Sequence, residues 1–391
     1  MTSVSFRRKK RFKPQQAKRD TSPAKVDVSK YTNKGVPATE PPAYQNQYSF
    51  DDFPIDAKLR KLIHEKGYKT PSEIQDKAIM PALNGKDIIG IAGTGTGKTA
   101  AFLIPVIQQL LENGEDNYAL ILAPTRELAN QIQDEFKSLT RGLNLFSSCL
   151  IGGTSVSQCL KSLRRKNHVI IATPGRLQDM ANQGAINYRD FSVLILDEFD
   201  RMLDMGFAKE VQRVNRAMTN KEQTLLLSAT LDKSQQRLID EVTDRALMVQ
   251  SERSTHRSNA INQEVIRTEG KDKFALLKDL LDQPEQDKTI LFCETKRHAD
   301  RMVKKLTKSD FKAGAIHGDK SQNQRERTLN QFKQGQINIL VATDVVARGI
   351  DISDVEMVIN YKEPKNYADY VHRIGRTGRA GKMGRAVTFI D

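Results

Sequence analysis

The sequence predicts an α/β protein with two open parallel-sheet domains in tandem and a cleft between them. Three observations carry this. Short apolar runs alternate with helical patterns, as expected for parallel strands covered on both faces. The runs form two series, "DIIGIA", "ALILAP", "VIIATP", "VLILDE", "TLLLSAT" and then "TILFC", "AGAIHG", "NILVAT", "MVINY", "AVTFI", with the polar stretch "QSERSTHRSNAINQ" (Gln250 to Gln263) between them. Runs end in functional-looking residues: Gly93, Thr125, Thr173, Asp197 and Ser228 in the first series, and His317, Thr343 and Asp344 in the second. Ligands of open α/β sheets bind at the carboxyl ends of strands, and two such edges facing each other make a cleft.

Taken in order, the elements begin with a basic arm. Residues 1–45 hold eleven Lys or Arg and three Asp or Glu, so +8 of the chain's net +14 sits there. The arm is polar, contains Pro and lacks apolar periodicity, so it is expected to be disordered. Residues 46–250 are assigned to the first domain, 251–262 to a linker and 263–391 to the second domain, a division consistent with 391 residues being too many for one core. The arm has no apolar segment of the secretory type, and no apolar run reaches the length of a membrane span. Cys149, Cys159 and Cys293 are odd in number and form no CxxC pair, which fits a reducing compartment and suggests no zinc site. A basic tail on a near-balanced body points to a polyanion, most commonly nucleic acid.

"AGTGTGKT", Ala92 to Thr99, follows the first strand and opens a helical pattern. It differs from the phosphate-loop template only in having Ala92 first. Gly93, Gly95 and Gly97 let backbone amides curl round phosphate oxygens, Lys98 neutralises phosphate charge, and the Thr99 hydroxyl can bind magnesium. About a hundred residues on, the strand "VLIL" ends in Asp197 and Glu198. Asp197 can hold Mg2+ and Glu198 can orient and deprotonate an attacking water; taken alone, the pair reads equally well as the acidic start of a helix. Upstream lies "GYKTPSEIQ", Gly67 to Gln75. The Gln75 amide can pair with the N6 and N7 edge of adenine, with Tyr68 against the base, although local chemistry alone makes Gln75 a solvated helix residue. "HRIGRTGR", His372 to Arg379, spaces three arginines by three. They read as a phosphate- or RNA-binding surface, or as the source of positive charge that a second domain must bring to a transferring phosphoryl group.

These motifs, together with "PTREL", Gly152–Gly153, "TPGR", "DEFD", "SAT", "HGDKSQNQRE" and "ATDVVARGID", occur in the order found in DEAD-box RNA helicases of superfamily 2, which residues 48–391 resemble. The resemblance implies two RecA-like domains and ATP, with Mg2+, as cofactors. It assigns adenine recognition to Phe50, Tyr68, Thr70 and Gln75, and phosphate binding to Ala92, Gly93, Thr94, Gly95, Thr96, Gly97, Lys98 and Thr99. Thr99 and Asp197 would meet the metal, and Glu198 the water. Asp200 would link to Ser228 and Thr230. Gly349 and Asp351 would reach the nucleotide from the second domain, with Arg376 and Arg379 as arginine fingers and His372 bridging the domains. Thr125, Arg126, Gly153, Thr173, Arg176, Gln322, Arg325, Thr343 and Asp344 would grip RNA.

The expected activity is ATP-dependent separation of short RNA duplexes by a monomer, with an ATP-gated RNA clamp or annealing chaperone as the alternative. A bacterial cytoplasmic enzyme is the preferred setting, and "RRKKR" would read as a nuclear signal in a eukaryote. One residue departs from the family's name motif: Phe199 stands where the family has Ala. Placed between catalytic acids at a strand end, it is expected to face away from the phosphates, toward the helices covering the sheet.

Overall fold

The computed structural model describes residues 31–33, 44–93, 95–113, 119–251, 261–283, 288–344, 355–364, 367–378 and 383–390. In chain order the first half contains α1 (Ala57–Glu65), α2 (Glu73–Leu83), β1 (Ile88–Ile91), α3 (Lys98–Asn113), β2 (Ala119–Leu122), α4 (Arg126–Leu139), β3 (Ser147–Leu150), α5 (Val156–Leu163), β4 (Val169–Ala172), α6 (Pro174–Asn182), β5 (Val193–Leu196), α7 (Phe199–Asp204), α8 (Ala208–Ala217), β6 (Gln223–Ser228), α9 (Gln236–Val242) and β7 (Leu247–Gln250). The second half contains β8 (Ile261–Arg267), α10 (Lys273–Leu281), β9 (Thr289–Phe292), α11 (Lys296–Thr307), β10 (Ala313–Ile316), α12 (Gln322–Lys333), β11 (Ile339–Ala342), β12 (Met357–Asn360), α13 (Tyr367–Ile374) and β13 (Gly384–Ile390).

The strands form two parallel sheets, of seven in the order β3-β4-β2-β5-β6-β1-β7 and six in the order β10-β11-β9-β12-β13-β8. Helices cover both faces, and this explains the unbroken apolar runs. Along β5, Val193 and Ile195 belong to one core cluster, while Leu194 and Leu196 belong to the cluster on the opposite face. The register aligns Leu196 with Leu122 and Leu226, so β2 and β5 end together, Asp197 emerges at that edge, and neighbouring β6 runs on to Ser228. No helix among the described residues is long and apolar enough to cross a membrane.

Two expectations need correction. β8 begins inside the polar stretch read as a hinge, because an edge strand with alternating burial needs few apolar residues. The arm is not wholly without structure either. Tyr31 is buried, and Asn33 pairs antiparallel with Gln263 of β8. Its polar composition concealed this aromatic anchor. Most of the arm and most of the linker lie outside the described residues.

Candidate functional site

The phosphate loop follows β1, which runs between β6 and β7. Gly95 and Gly97 have φ of +69° and +91°, backbone that disfavours any side chain. Gly97 has a second constraint: a Cβ there would stand 2.4 Å from Nε2 of Gln75. Gln75 is buried. Its Nε2 donates to the Gly97 carbonyl at 3.1 Å, and its Oε1 accepts from the Ser72 amide at 2.8 Å, closing a capping box at the start of α2. The solvated-residue reading of Gln75 is therefore wrong, because α2 abuts the loop and its first turn faces inward. Lys98 is buried, and its ammonium donates to the Ala92 carbonyl at 2.6 Å. The Thr96 hydroxyl donates to the Gly93 carbonyl at 2.7 Å. Thr99 is half-buried, and Thr94 lies outside the described residues.

Around the expected adenine site, Phe50 is fully buried, between Phe53 and Tyr68, each with ring centroids 6.1 Å away. The Tyr68 hydroxyl donates to Glu135 at 2.7 Å, and Thr70 is exposed.

Asp197 continues the sheet ladder, its amide donating to the Leu122 carbonyl at 3.0 Å. Burial pushes its carboxyl up to about 7, opposed by the nearby Lys98 ammonium. Glu198 sits at φ +50°, a left-handed backbone uncommon outside glycine, and serves as the N-cap of α7. Its Oε2 accepts from Nη1 of Arg201 at 2.8 Å. Arg201 is 1% exposed and has the largest fully buried side chain of the described residues. The sequence reading missed it, although an arginine three residues after a catalytic carboxylate lies on the same side of a helix.

Asp200 is extensively hydrogen-bonded. Its Oδ2 accepts from the Thr230 amide at 3.0 Å and the Thr230 hydroxyl at 2.9 Å. Its own amide donates to Oγ of Ser228 at 3.2 Å, and Ser228 in turn donates to the Thr230 carbonyl at 2.6 Å. Nε2 of His372, on α13 of the other domain, lies 3.9 Å from Asp200 Oδ2. A second contact joins the domains: Nη2 of Arg325 on α12 stands 2.6 Å from Oε1 of Glu127 on α4, with both side chains buried. The carboxyl edges of the two sheets thus meet.

Several residues expected to grip RNA hold protein groups in this structure. Arg176 donates to the carbonyls of Ile151 and Thr154 at 3.1 and 2.8 Å. Arg126 lies against Gly152 and Gly153, where a Cβ would come within 2.7 and 2.4 Å of its guanidinium. The two arginines therefore brace one glycine turn from two sides. Asp344 gives both carboxylate oxygens to Arg373, at 2.6 and 2.9 Å, which holds the residue just past β11 in place. Arg373 also donates to Asn360 and to the Lys362 carbonyl; the first arginine of "HRIGRTGR" is a structural clasp. Gln322 donates to Glu326 at 3.0 Å. Thr343 is buried at the end of β11, Thr125 caps α4, and Thr173 is the N-cap of α6 with its hydroxyl not engaged in the cap. Arg376 is buried, whereas Gly349, Asp351 and Arg379 lie outside the described residues.

Comparison with known proteins agrees with this geometry. Residues 72–238 match the family model described as DEAD/DEAH box helicase, and residues 272–381 match the helicase conserved C-terminal domain. The chain is 39% identical to the ATP-dependent rRNA helicase RRP3 of Kluyveromyces lactis, over 88% of this chain and 71% of that one. It is also 39% identical to the ATP-dependent RNA helicase CshA of Listeria monocytogenes, over 87% of this chain and 66% of that one. It spans only 45% of the Dictyostelium discoideum protein called probable ATP-dependent RNA helicase ddx27. Among solved structures, S. cerevisiae Dbp5 bound to RNA and ADP BeF3 superposes with a TM-score of 0.77 at 30% identity, over 88% of this chain and 89% of that one. Mss116 bound to ssRNA and UDP-BeF superposes with a TM-score of 0.79 at 32% identity, over 88% of this chain and 76% of that one.

Proposed function

The chain belongs to the DEAD/DEAH box helicase family, and on that premise we propose that it is an ATP-dependent RNA helicase that hydrolyses ATP on binding RNA and locally separates short duplexes. ATP enters at the loop Ala92–Thr99. Lys98 exchanges the Ala92 carbonyl for phosphate oxygens, and Gln75 holds the loop while presenting an amide to adenine. Glu198 receives the proton of the attacking water, and Arg201 fixes the orientation of its carboxylate. Arg376 brings positive charge from the second domain to the transferring phosphoryl group, and Arg379 is assigned the same role. Gly349 and Asp351 are assigned to the nucleotide from that side.

The donor set suits Mg2+. The Asp197 carboxylate and Thr99 hydroxyl are oxygen ligands, and a carboxyl whose burial opposes ionisation gains from a nearby cation. When bound, the ion would offset charge on the phosphoryl oxygens.

Thr125, Arg126, Gly153, Thr173, Arg176, Gln322, Arg325, Thr343 and Asp344 are assigned to the RNA backbone, through hydroxyls, an amide, main chain and charge, a grip blind to sequence. A strand held on a bent path across both domains cannot stay paired. The proposed domain division is an arm at 1–45, a first domain at 46–250, a linker from 251 and a second domain that begins with β8 at Ile261 rather than at 263, acting as a monomer in the cytoplasm. The free thiols of Cys149, Cys159 and Cys293 support a reducing compartment.

The observation that carries the reading is Asp200: one carboxylate bound to Thr230 and lying 3.9 Å from His372 of the other domain. Events at the phosphates and contact between domains therefore share a group. Glu198→Gln is expected to keep ATP and RNA binding and to stop turnover. Parental turnover in that variant refutes the role of Glu198. Strand displacement is measured beside steady-state hydrolysis; RNA-stimulated hydrolysis without displacement would make the protein an ATP-gated clamp instead.

A further inference from the structure

A short piece of the arm is docked at each domain. Tyr31 is 7% exposed, its ring meeting that of Tyr370 edge-on with centroids 4.8 Å apart. Its hydroxyl donates to Oε1 of Glu363 at 3.3 Å. Two residues on, Asn33 and Gln263 exchange backbone hydrogen bonds of 3.2 and 2.8 Å, extending the edge of the six-stranded sheet beyond β8. Gln263 then accepts from the Tyr370 hydroxyl at 2.9 Å. Tyr31, Ile261, Tyr370, Ile374, Ala386 and Ile390 form an apolar cluster separate from the other cores of this sheet.

The chain meets the first domain again at Tyr44. Its hydroxyl donates to Asp76 at 2.7 Å, and the amides of Gln47 and Tyr48 donate to the same buried carboxylate at 3.0 and 2.8 Å. Nδ2 of Asn46 donates to the Pro71 carbonyl at 2.6 Å. Asp76 follows Gln75 in sequence. The two anchors therefore flank the ATP site, one beside the adenine helix α2 and the other beside α13. Eleven residue steps join Asn33 to Tyr44, a reach of at most about 40 Å.

We infer that Tyr31 is a positioning residue for α13, the helix that carries His372 and leads into Arg376. α13 has eight residues, too few to hold a helix by itself, so packing decides its direction. Its apolar hold on the sheet is Tyr370 and Ile374, and Tyr31 closes that contact from outside. Arg376 lies two residues after the helix ends. A displaced α13 moves the finger and His372 together, and displacements of about 1 Å cost up to ~10²-fold in rate.

The inference rests on the reading of Arg376 and His372 as parts of an ATPase site. Its test compares Tyr31→Ala and Tyr31→Phe in the full-length chain. Two quantities are read: hydrogen exchange over residues 367–374, and RNA-stimulated turnover at varied ATP. Tyr31→Ala is expected to exchange faster over α13 and to lose about tenfold in kcat, with KM for ATP within about twofold. Tyr31→Phe keeps the ring and should restore both. Parental exchange over α13 in Tyr31→Ala overturns the docking role. Faster exchange with parental kcat makes the ring merely structural, and a raised kcat makes the docked ring a brake; either result overturns the positioning role. A parent protein with no RNA-stimulated hydrolysis instead defeats the helicase reading, and with it the catalytic consequence drawn here.

Discussion

Replacing Phe199 by Ala would restore the family's usual residue, and it should nonetheless destabilise this protein. Phe199 is fully buried, in the cluster that contains Leu194, Leu196, Met202 and Leu226, on the face of the sheet opposite Val193 and Ile195. Truncating a buried Phe to Ala costs about 3–5 kcal/mol, from lost transfer energy and the cavity left behind. α7 has only six residues and can settle partly into the gap, which favours the lower end. In a domain of roughly 150–250 residues each kcal/mol is worth about 2–4 °C, so the first domain should melt about 6–20 °C lower. Turnover should stay within a few-fold. Asp197 is set by its ladder bond to Leu122, and the start of α7 remains held through Asp200 to Ser228 and Thr230 and through Arg201 to Glu198. Thermal unfolding and RNA-stimulated hydrolysis are measured on one preparation, with the two domains' transitions followed separately because such a chain need not melt in one step. A melting temperature within about 1 °C of the parent would refute the packing argument. Unchanged melting with much faster turnover would make Phe199 a brake on catalysis.

Arg376→Ala should lower turnover by roughly 10³-fold, on the scale of other arginine fingers, with ATP affinity nearly unchanged; weaker ATP binding with full rate at saturation would assign it to the ground state. The unaltered protein should prefer ATP to GTP, and Gln75→Ala should narrow that preference. Because Gln75 also bonds the Gly97 carbonyl, the same variant should bind every nucleotide less well; equal use of ATP and GTP by the parent removes the adenine assignment. Deleting residues 1–30, which removes ten Lys or Arg and leaves Tyr31 in place, should flatten the salt dependence of RNA binding, at about 0.7 in log–log slope for each single-strand phosphate that is no longer neutralised. An unchanged slope would mean the arm does not touch RNA.

The legible part of the fold was the part buried on both faces. Central strands β1, β2, β5, β6, β9, β11 and β12 are continuous apolar runs because helices cover them on each side. The three strands that escaped the sequence, β3, β7 and β8, all lie at sheet edges. β3 reads "SSCL", half of it serine, and β7 is mostly exposed. At the site, motif residues on strand ends and loops were legible because their chemistry dictates their type. Their supports were not. Arg201 under Glu198, Glu127 opposite Arg325, and Arg373 clasping Asp344 are long-range or context-dependent pairings. A sequence shows that charges are present but not which of them neutralise each other.

That distinction bears on how RNA could gate hydrolysis. Arg325 and Glu127 form a buried pair between the domains, and removing one partner of such a pair leaves a charge without compensation. The contact therefore favours closure only while both members are correctly placed. Glu127 begins α4, whose N-cap is Thr125 and whose first residue, Arg126, braces the Gly152–Gly153 turn. RNA phosphates at that helix end would meet the same turn of backbone that carries Glu127. Glu127 also acts electrostatically on Arg201, which binds Glu198. If the proposed roles hold, a path from RNA to the catalytic base would run through three consecutive residues at the start of α4 and one buried arginine. Its two ends would then be biased by different ligands, as a coupling free energy requires. Coupling of this kind needs no shift of the sheets, only that α4, α7 and α12 reach their paired geometry together.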